Sequence, residues 1–264
     1  MTAIAARLRD PRAPVALLAA AMAVSAVVLL VLETDITFFL DDWAVLLHRR
    51  GLSADVILDP NNQHPAMVPV LIYKALLATV GMDSARPFQV VEVVSFLVAD
   101  ALLFVWIRRR VGAWLALAAV VPILFLGSAY EDLLWQFQVG YFGSMACGLG
   151  MLLALDRDDR IGDRWACALL AASMTFSSVG LAFLAPAGIH VAWDERRRRR
   201  AYVVLVPAAL YALWWLGWGH TAQSTVGIKN IATSASYVID GLSSSISSLL
   251  GLATSRAAAP SRAG

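Results

Sequence analysis

The sequence predicts an all-α integral membrane protein, with about seven membrane segments and interfacial helices in a long first outer loop. Three observations carry that expectation. Of 264 residues, 59% are apolar and only 15% charged, against about 25% charged in soluble domains. Several apolar runs approach the roughly 20 residues that cross a bilayer as a helix. The basic residues gather in short clusters between those runs, as they do in cytoplasmic loops. Mean hydropathy is +0.69. A net charge of +2 leaves no basic footprint for nucleic acid. Cys147 and Cys167 lie inside apolar runs. Without CxxC or Cys/His spacing they read as small buried thiols, not as a disulfide or zinc ligands.

The elements follow in chain order. The N-terminus, "MTAIAARLRDPRAPVALLAAAMAVSAVVLLVL", has a basic start and an apolar run that continues past "AVSA". A cleaved signal peptide has an apolar region of only roughly 7–15 residues, so a retained signal-anchor helix is expected over 14–32. Further spans are expected over 88–107, 113–130, 139–155 and 201–218. The stretch 64–81 is expected to lie flat on the outer surface. Pro65 suits a first helical turn, Pro69 and Lys74 interrupt the apolar pattern, and a mid-span lysine is expensive. An ordinary short spanning helix is the competing reading.

With 64–81 outside, "RRR" at 108–110, "DRDDRIGDR" at 156–164 and "RRRRR" at 196–200 all fall on the cytoplasmic side, with the N-terminus. That path requires 165–193 to go out and back as two short or re-entrant helices, broken at "FSSVG", 176–180. Each arm of about 14 residues rises roughly 21 Å, less than the roughly 30 Å hydrocarbon core. Trp43, Trp106, Trp114, Trp135, Trp165, Trp193 and Trp218 fall near segment ends, as in an aromatic belt. Residues 1–218 thus form a polytopic membrane domain. Residues 219–264 form an external Ser/Ala-rich tail, in which 237–253 looks helical but too polar to span, and "TSRAAAPSRAG" reads as disordered.

Chemistry concentrates in the outer segments. The 33–87 loop is long for a connector and carries Asp41, Asp42, Arg49, Arg50, His64, Lys74 and Arg86. The second outer loop carries Glu131, Asp132 and Gln136. Asp41-Asp42 opens a short amphipathic helix in which Trp43, Leu46 and Leu47 share a face. Acidic residues in a first turn stabilise the helix dipole by under about 1 kcal/mol, which is the purely structural reading of the pair. The active reading makes one carboxylate a general base near the membrane surface. Its partner then binds a divalent metal, or raises the pKa of its neighbour by like-charge repulsion.

"DDW" after a first membrane helix, followed by "NNQHPAMVPVLIYKALLATVGMDSARPFQVVEVVSFLVADALLFVWIRRRVG", resembles the GT-C superfamily of membrane glycosyltransferases. The likeness is to the polyprenyl-phosphate-sugar-dependent bacterial mannosyl- and aminoarabinose-transferases. It rests on Asp41-Asp42, His64-Pro65, Val80-Gly81 and Arg86, and covers about residues 14–112. From there to about 218 only a rhythm of helices matches. The resemblance implies a lipid-linked sugar donor and inverting transfer to an acceptor hydroxyl on the outer face. Asp41 would be the catalytic base, and Asp42 would position substrate or metal. Arg49, Arg50, Lys74 and Arg86 become candidates for the donor phosphate, which Arg binds bidentately, or for anchoring to anionic lipid. His64 reads as a substrate contact, a metal ligand or a plain loop residue. Glu131-Asp132 would complete an acceptor or metal site, or cap the "LLWQFQ" segment, and Gln136 is a candidate substrate contact on the same side.

Members of that family usually have more membrane helices, and often a soluble outer domain. The chain is therefore expected to be a small member or an N-terminal fragment. Arg far outnumbers Lys, present only as Lys74 and Lys229, which points to a GC-rich bacterial genome and so to a bacterial plasma membrane. The alternative function is a non-catalytic lipid-handling, transport or scaffold protein. The transport reading would rest on Glu92 and Asp100 inside 88–107.

Overall fold

The computed structural model describes residue 10, residues 12–222 and residues 228–249. The described residues are helical, with no β-strand among them beyond an isolated bridge between Asn61 and His64. The main helices are α1 (Ala13–Leu32), α2 (Met67–Val80), α3 (Arg86–Val111), α4 (Ala113–Leu124), α5 (Val139–Leu155), α6 (Arg160–Phe176), α7 (Leu184–Ala192), α8 (Tyr202–Gly217) and α9 (Ile228–Leu249). The chain divides into two compact units, Met1–Phe125 with Glu131–Gln223, and Leu126–Tyr130 with Ser224–Gly264. The reading of "TSRAAAPSRAG" falls outside the described residues.

Among the described residues, four helical stretches are long and apolar enough to cross a membrane: Ala13–Asp35, Arg86–Val111, Gln136–Leu155 and Arg198–Gly217. A fifth arises if the bent pair Ala113–Leu124 and Gly127–Leu133 is one broken span. The rest of the expected seven segments are shorter. α2 has 14 residues, roughly 21 Å of helix, too short for a straight crossing of roughly 30 Å.

The break expected within 165–193 is present. α6 ends at Phe176, Ser177 is extended, and a 3-10 stretch Ser178–Phe183 leads into α7. The first arm is longer than expected. α6 begins at Arg160, where Asp159 caps it by accepting from the Gly162 N–H at 2.5 Å. The expected span 113–130 is not one continuous helix: α4 holds Pro122 inside it and stops at Leu124, and a further helical stretch follows at an angle of 43°. The Leu124 carbonyl, left open at that end, accepts from the Ser25 hydroxyl of α1 at 2.8 Å.

α5 is the spine against which both arms pack. A Cβ at Gly143 would lie 2.3 Å from the Phe176 ring, and one at Gly148 would lie 2.3 Å from the Phe183 ring. Ser144 of α5 and Ser173 of α6 exchange buried hydrogen bonds to each other's carbonyls, at 2.8 and 2.7 Å. Below them Met151, Leu155, Ala166, Leu170, Val191 and Val203 form an apolar cluster joining α5 to α8.

Ion pairs and hydrogen bonds define two ends of this bundle. At one end Arg109 and Arg110 pair with Asp156 at 3.4 and 3.1 Å. There, too, buried Arg200 pairs with Asp163 at 2.6 Å and with Asp158 at 3.1 Å, and also with Asp194. The three basic clusters 108–110, 156–164 and 196–200 thus meet at one end, as the charge pattern requires. At the other end lie the 33–87 loop, the 135–138 turn, the α6 break and the end of α8. The Trp214 indole donates to Leu58 O at 2.7 Å, and that of Trp218 to Asp55 at 3.0 Å.

Candidate functional site

The acidic pair sits at the second end, on an aromatic platform. Phe38, Val45, Val70, Tyr73, Phe88 and Phe137 pack together beneath it, with Tyr73 and Phe88 ring centroids 4.9 Å apart. Asp41–Trp43 is a single helical turn that continues as a π-helical turn, Ala44–His48. Val45 is the buried residue of this stretch, while Trp43 and Leu47 are exposed. Just before the pair, Leu40 takes φ 42°, ψ −107°, a conformation that costs a non-glycine residue of order 1–3 kcal/mol. Asp42 holds it there, because one carboxylate oxygen accepts from the Phe39 N–H at 2.7 Å.

The two aspartates do different work. Asp42 is fully buried and its other oxygen accepts a short hydrogen bond from the Tyr73 hydroxyl. Burial pushes its pKa up to about 6. The Tyr73 and Phe39 donors oppose the rise, and the charge of Asp41 adds to it. Asp42 therefore braces the turn. Asp41 instead lines a cavity of about 130 Å3. Its Oδ2 accepts from the side-chain amides of Asn61, at 2.8 Å, and Asn62, at 3.4 Å.

Those amides come from a tight turn, "NNQH", closed by two backbone hydrogen bonds of 2.9 Å between Asn61 and His64. Asn62 sits there at φ 54°, where Asn is tolerated better than most residues. His64 lines the same cavity, edge-on to Tyr141 at 6.3 Å. Its Nδ1 is buried without a hydrogen-bond partner. Burial lowers its pKa, against the opposing charge of Asp41, so the ring is neutral at pH 7. Trp135, Gln138, Tyr141 and Ser177 complete the walls. Gln138 donates to Asp132 at 2.6 Å.

The cavity brings together Asp41 and His64, with Asp132 one hydrogen bond behind Gln138. The other expected residues lie elsewhere. Arg49 is buried, its guanidinium donating to the carbonyls of Val56, Asp59 and Pro60. Lys74 donates to Arg49 O at 2.6 Å. Arg86 binds Leu30 O, Thr34 and Gln89, and lines a separate cleft of about 270 Å3 beside Asp83 and Ser84. Gln136 is buried and props the Thr37 carbonyl at 3.1 Å. Arg50 is exposed, and Glu131 stands in the short helix Tyr130–Leu133. Sequence reading missed Asn61, Asn62, Tyr141 and Ser177 as site residues. The run "NNQHP" carried a turn signal for the first two, and nothing local marked the others.

A divalent metal finds a poor donor set here. Both oxygens of Asp42 are taken, and no group of three or more His, Cys, Asp or Glu side chains suited to a metal exists among the described residues. The bundle interior holds Glu33, Glu92 and Asp100, buried and with carboxylate oxygens that have no hydrogen-bond partner. None of them lines the three cavities described here.

An apolar cavity of about 310 Å3 adjoins the polar one. Leu58, Met67, Met174, Leu210 and Trp214 line it, and Pro65 forms a wall of both. No family model, curated protein or solved structure matches the chain.

Proposed function

We propose that the chain is a membrane glycosyltransferase, moving a sugar from a polyprenyl-phosphate donor to an acceptor hydroxyl at the outer face of a bacterial plasma membrane. The observation that carries this reading is a pair of neighbouring cavities that share Pro65 as a wall. One is of mixed character, walled by aromatic rings and amide side chains, and holds the Asp41 carboxylate. The other is apolar and of a size for several isoprene units. A donor with a sugar head and a greasy tail has that polarity.

In the reaction, Asp41 accepts the proton of the acceptor hydroxyl. The oxygen attacks the anomeric carbon from the face opposite the phosphate. The carbon–oxygen bond to phosphate breaks with its electron pair, and polyprenyl phosphate leaves, so the centre inverts. Asn61 and Asn62 fix the carboxylate through Oδ2. Trp135 and Tyr141 offer faces to the sugar ring, and Ser177 a hydroxyl. His64 contributes a neutral ring to the wall. The site end faces outward and the Arg-rich end faces the cytoplasm, with the N-terminus, by the distribution of basic residues. α2 then lies along the outer interface, and α6 and α7 form the out-and-back pair that brings the path to about seven segments.

A second reading, lipid binding without transfer, is favoured by one observation: among the described residues no Lys or Arg lines either cavity, although a phosphate leaving group calls for one. Incubating the protein in proteoliposomes with a polyprenyl-phosphate sugar and a mixture of envelope acceptors separates the two. Release of polyprenyl phosphate with a new glycoside supports transfer. Saturable donor binding without release supports lipid handling, and absence of both removes the polyprenyl donor from the account.

A further inference from the structure

α9 (Ile228–Leu249) is built with two opposed faces. At 100° per residue, Val238, Ile239, Leu242 and Ile246 fall within one sector, and they are 56%, 63%, 59% and 56% exposed. Ser236, Asp240, Ser243, Ser244 and Ser247 fall on the opposite side. The helix holds one basic residue, Lys229, and one acidic residue, Asp240, so its polar face is made of hydroxyls. Ser243 and Ser245 return theirs to carbonyls four residues back, both at 2.8 Å.

We propose that α9 is an interfacial helix that docks on the bilayer surface, and that it recognises loosely packed lipid through apolar insertion rather than headgroup charge. The proposal rests on the membrane reading of α8 and not on sugar transfer. Two further observations select lipid as the occupant. The last candidate span ends at Gly217, and α9 begins at Ile228. The intervening ten or so residues reach at most about 36 Å when extended, so the helix stays within reach of the surface that α8 leaves. With 22 residues it is long enough to span, yet it is not among the helices apolar enough to do so. Interfacial helices bind through buried apolar area plus attraction to anionic lipid. With Lys229 and Asp240 offsetting each other, only the apolar part remains. Insertion then depends on gaps between headgroups, which are more frequent in curved or loosely packed bilayers.

The test uses the full chain in a Cys147→Ala, Cys167→Ala background, reconstituted into vesicles. A single cysteine at Leu242 or at Ser244 carries an environment-sensitive fluorophore, and lipids brominated near the headgroup end of the acyl chain act as quencher. The label at 242 should be quenched several-fold more than that at 244, and more strongly in small vesicles than in large ones. Neither anionic lipid nor high salt should change the ratio. Equal quenching at both positions would overturn the proposal in favour of a spanning or embedded helix. Quenching at neither would place the face in water or against protein. Quenching that requires anionic lipid would make charge the recognised feature.

Discussion

Asp42 couples the shape of the acidic turn to pH. Its folded pKa of about 6 lies above the ordinary 3.8, with burial the main cause. A raised folded value means that the folded state holds the proton more tightly. The associated stability is therefore full below the unfolded value, near 3.8, and is lost as pH rises through about 6. The unfolding midpoint of the parent should drop between about pH 4 and about pH 7 by more than that of Asp42→Asn, whose side chain does not titrate. Parallel curves would show that Asp42 carries no such linkage. Gln89 offers a second residue-level test. Its buried amide donates to Glu33 O at 3.0 Å and Ile36 O at 2.9 Å, anchoring the exit of α1 to α3. Gln89→Ala leaves both carbonyls without that donor and should cost about 1–3 kcal/mol, read as a fall in the denaturation midpoint. A cost within error would mean that the loop holds without this anchor. The contrast with Arg49 shows what a sequence hides at this scale. Both side chains are polar in an apolar setting. Nothing in "HRRG" reveals that Arg49 turns inward to three carbonyls while its neighbour stays exposed.

At the scale of elements, α5 and the broken α6–α7 pair depend on small residues. Gly143 admits the Phe176 ring, and Phe176 is also a wall of the Asp41 cavity. Gly143→Ala should displace that ring, at a packing cost of about 1–3 kcal/mol, and weaken donor binding. Gly150→Ala, on the same helix, meets only the end of Leu169 at 3.3 Å and should do neither. Equal effects would detach Phe176 from the site. Much at this scale was legible. The run 139–155 coincides with α5 because its ends are marked by polar residues. The break at Ser177 was visible because two apolar arms were each too short to span and a "SSVG" sequence lay between them. The end of α4 was not legible, because Leu124 lies inside an uninterrupted apolar run and the partner of its freed carbonyl, Ser25, is remote in sequence. The cavity shares that difficulty. Asp41, Asn61, Tyr141 and Ser177 meet only after α2, α5 and α6 have packed.

For the whole molecule, the Arg-rich end is a joint as well as a signal of orientation. Arg200 is buried, with carboxylates of Asp158, Asp163 and Asp194 around it, and so ties α6 to α8. Breaking a buried pair by removing one partner costs about 3–5 kcal/mol. Arg200→Met should therefore lower stability by roughly that amount, while exposed Arg198→Met changes it little. Orientation itself is read by single cysteines at Ser53 and Arg197, in a background lacking Cys147 and Cys167. An impermeant thiol reagent added outside should label the first and not the second, and the reverse pattern inverts the topology.

In the proposed reaction Asp41, and not its buried neighbour, takes the proton of the acceptor. The measurement that bears on it most directly is the initial rate of sugar transfer from a polyprenyl-phosphate donor, in proteoliposomes holding equal amounts of folded parent or Asp41→Asn. The substitution keeps the shape of the side chain and removes its basicity. The rate should fall by about 10²- to 10⁴-fold, the usual contribution of a general base, with donor binding retained. Equal rates in parent and variant would contradict it and leave the aspartate a structural residue of the turn.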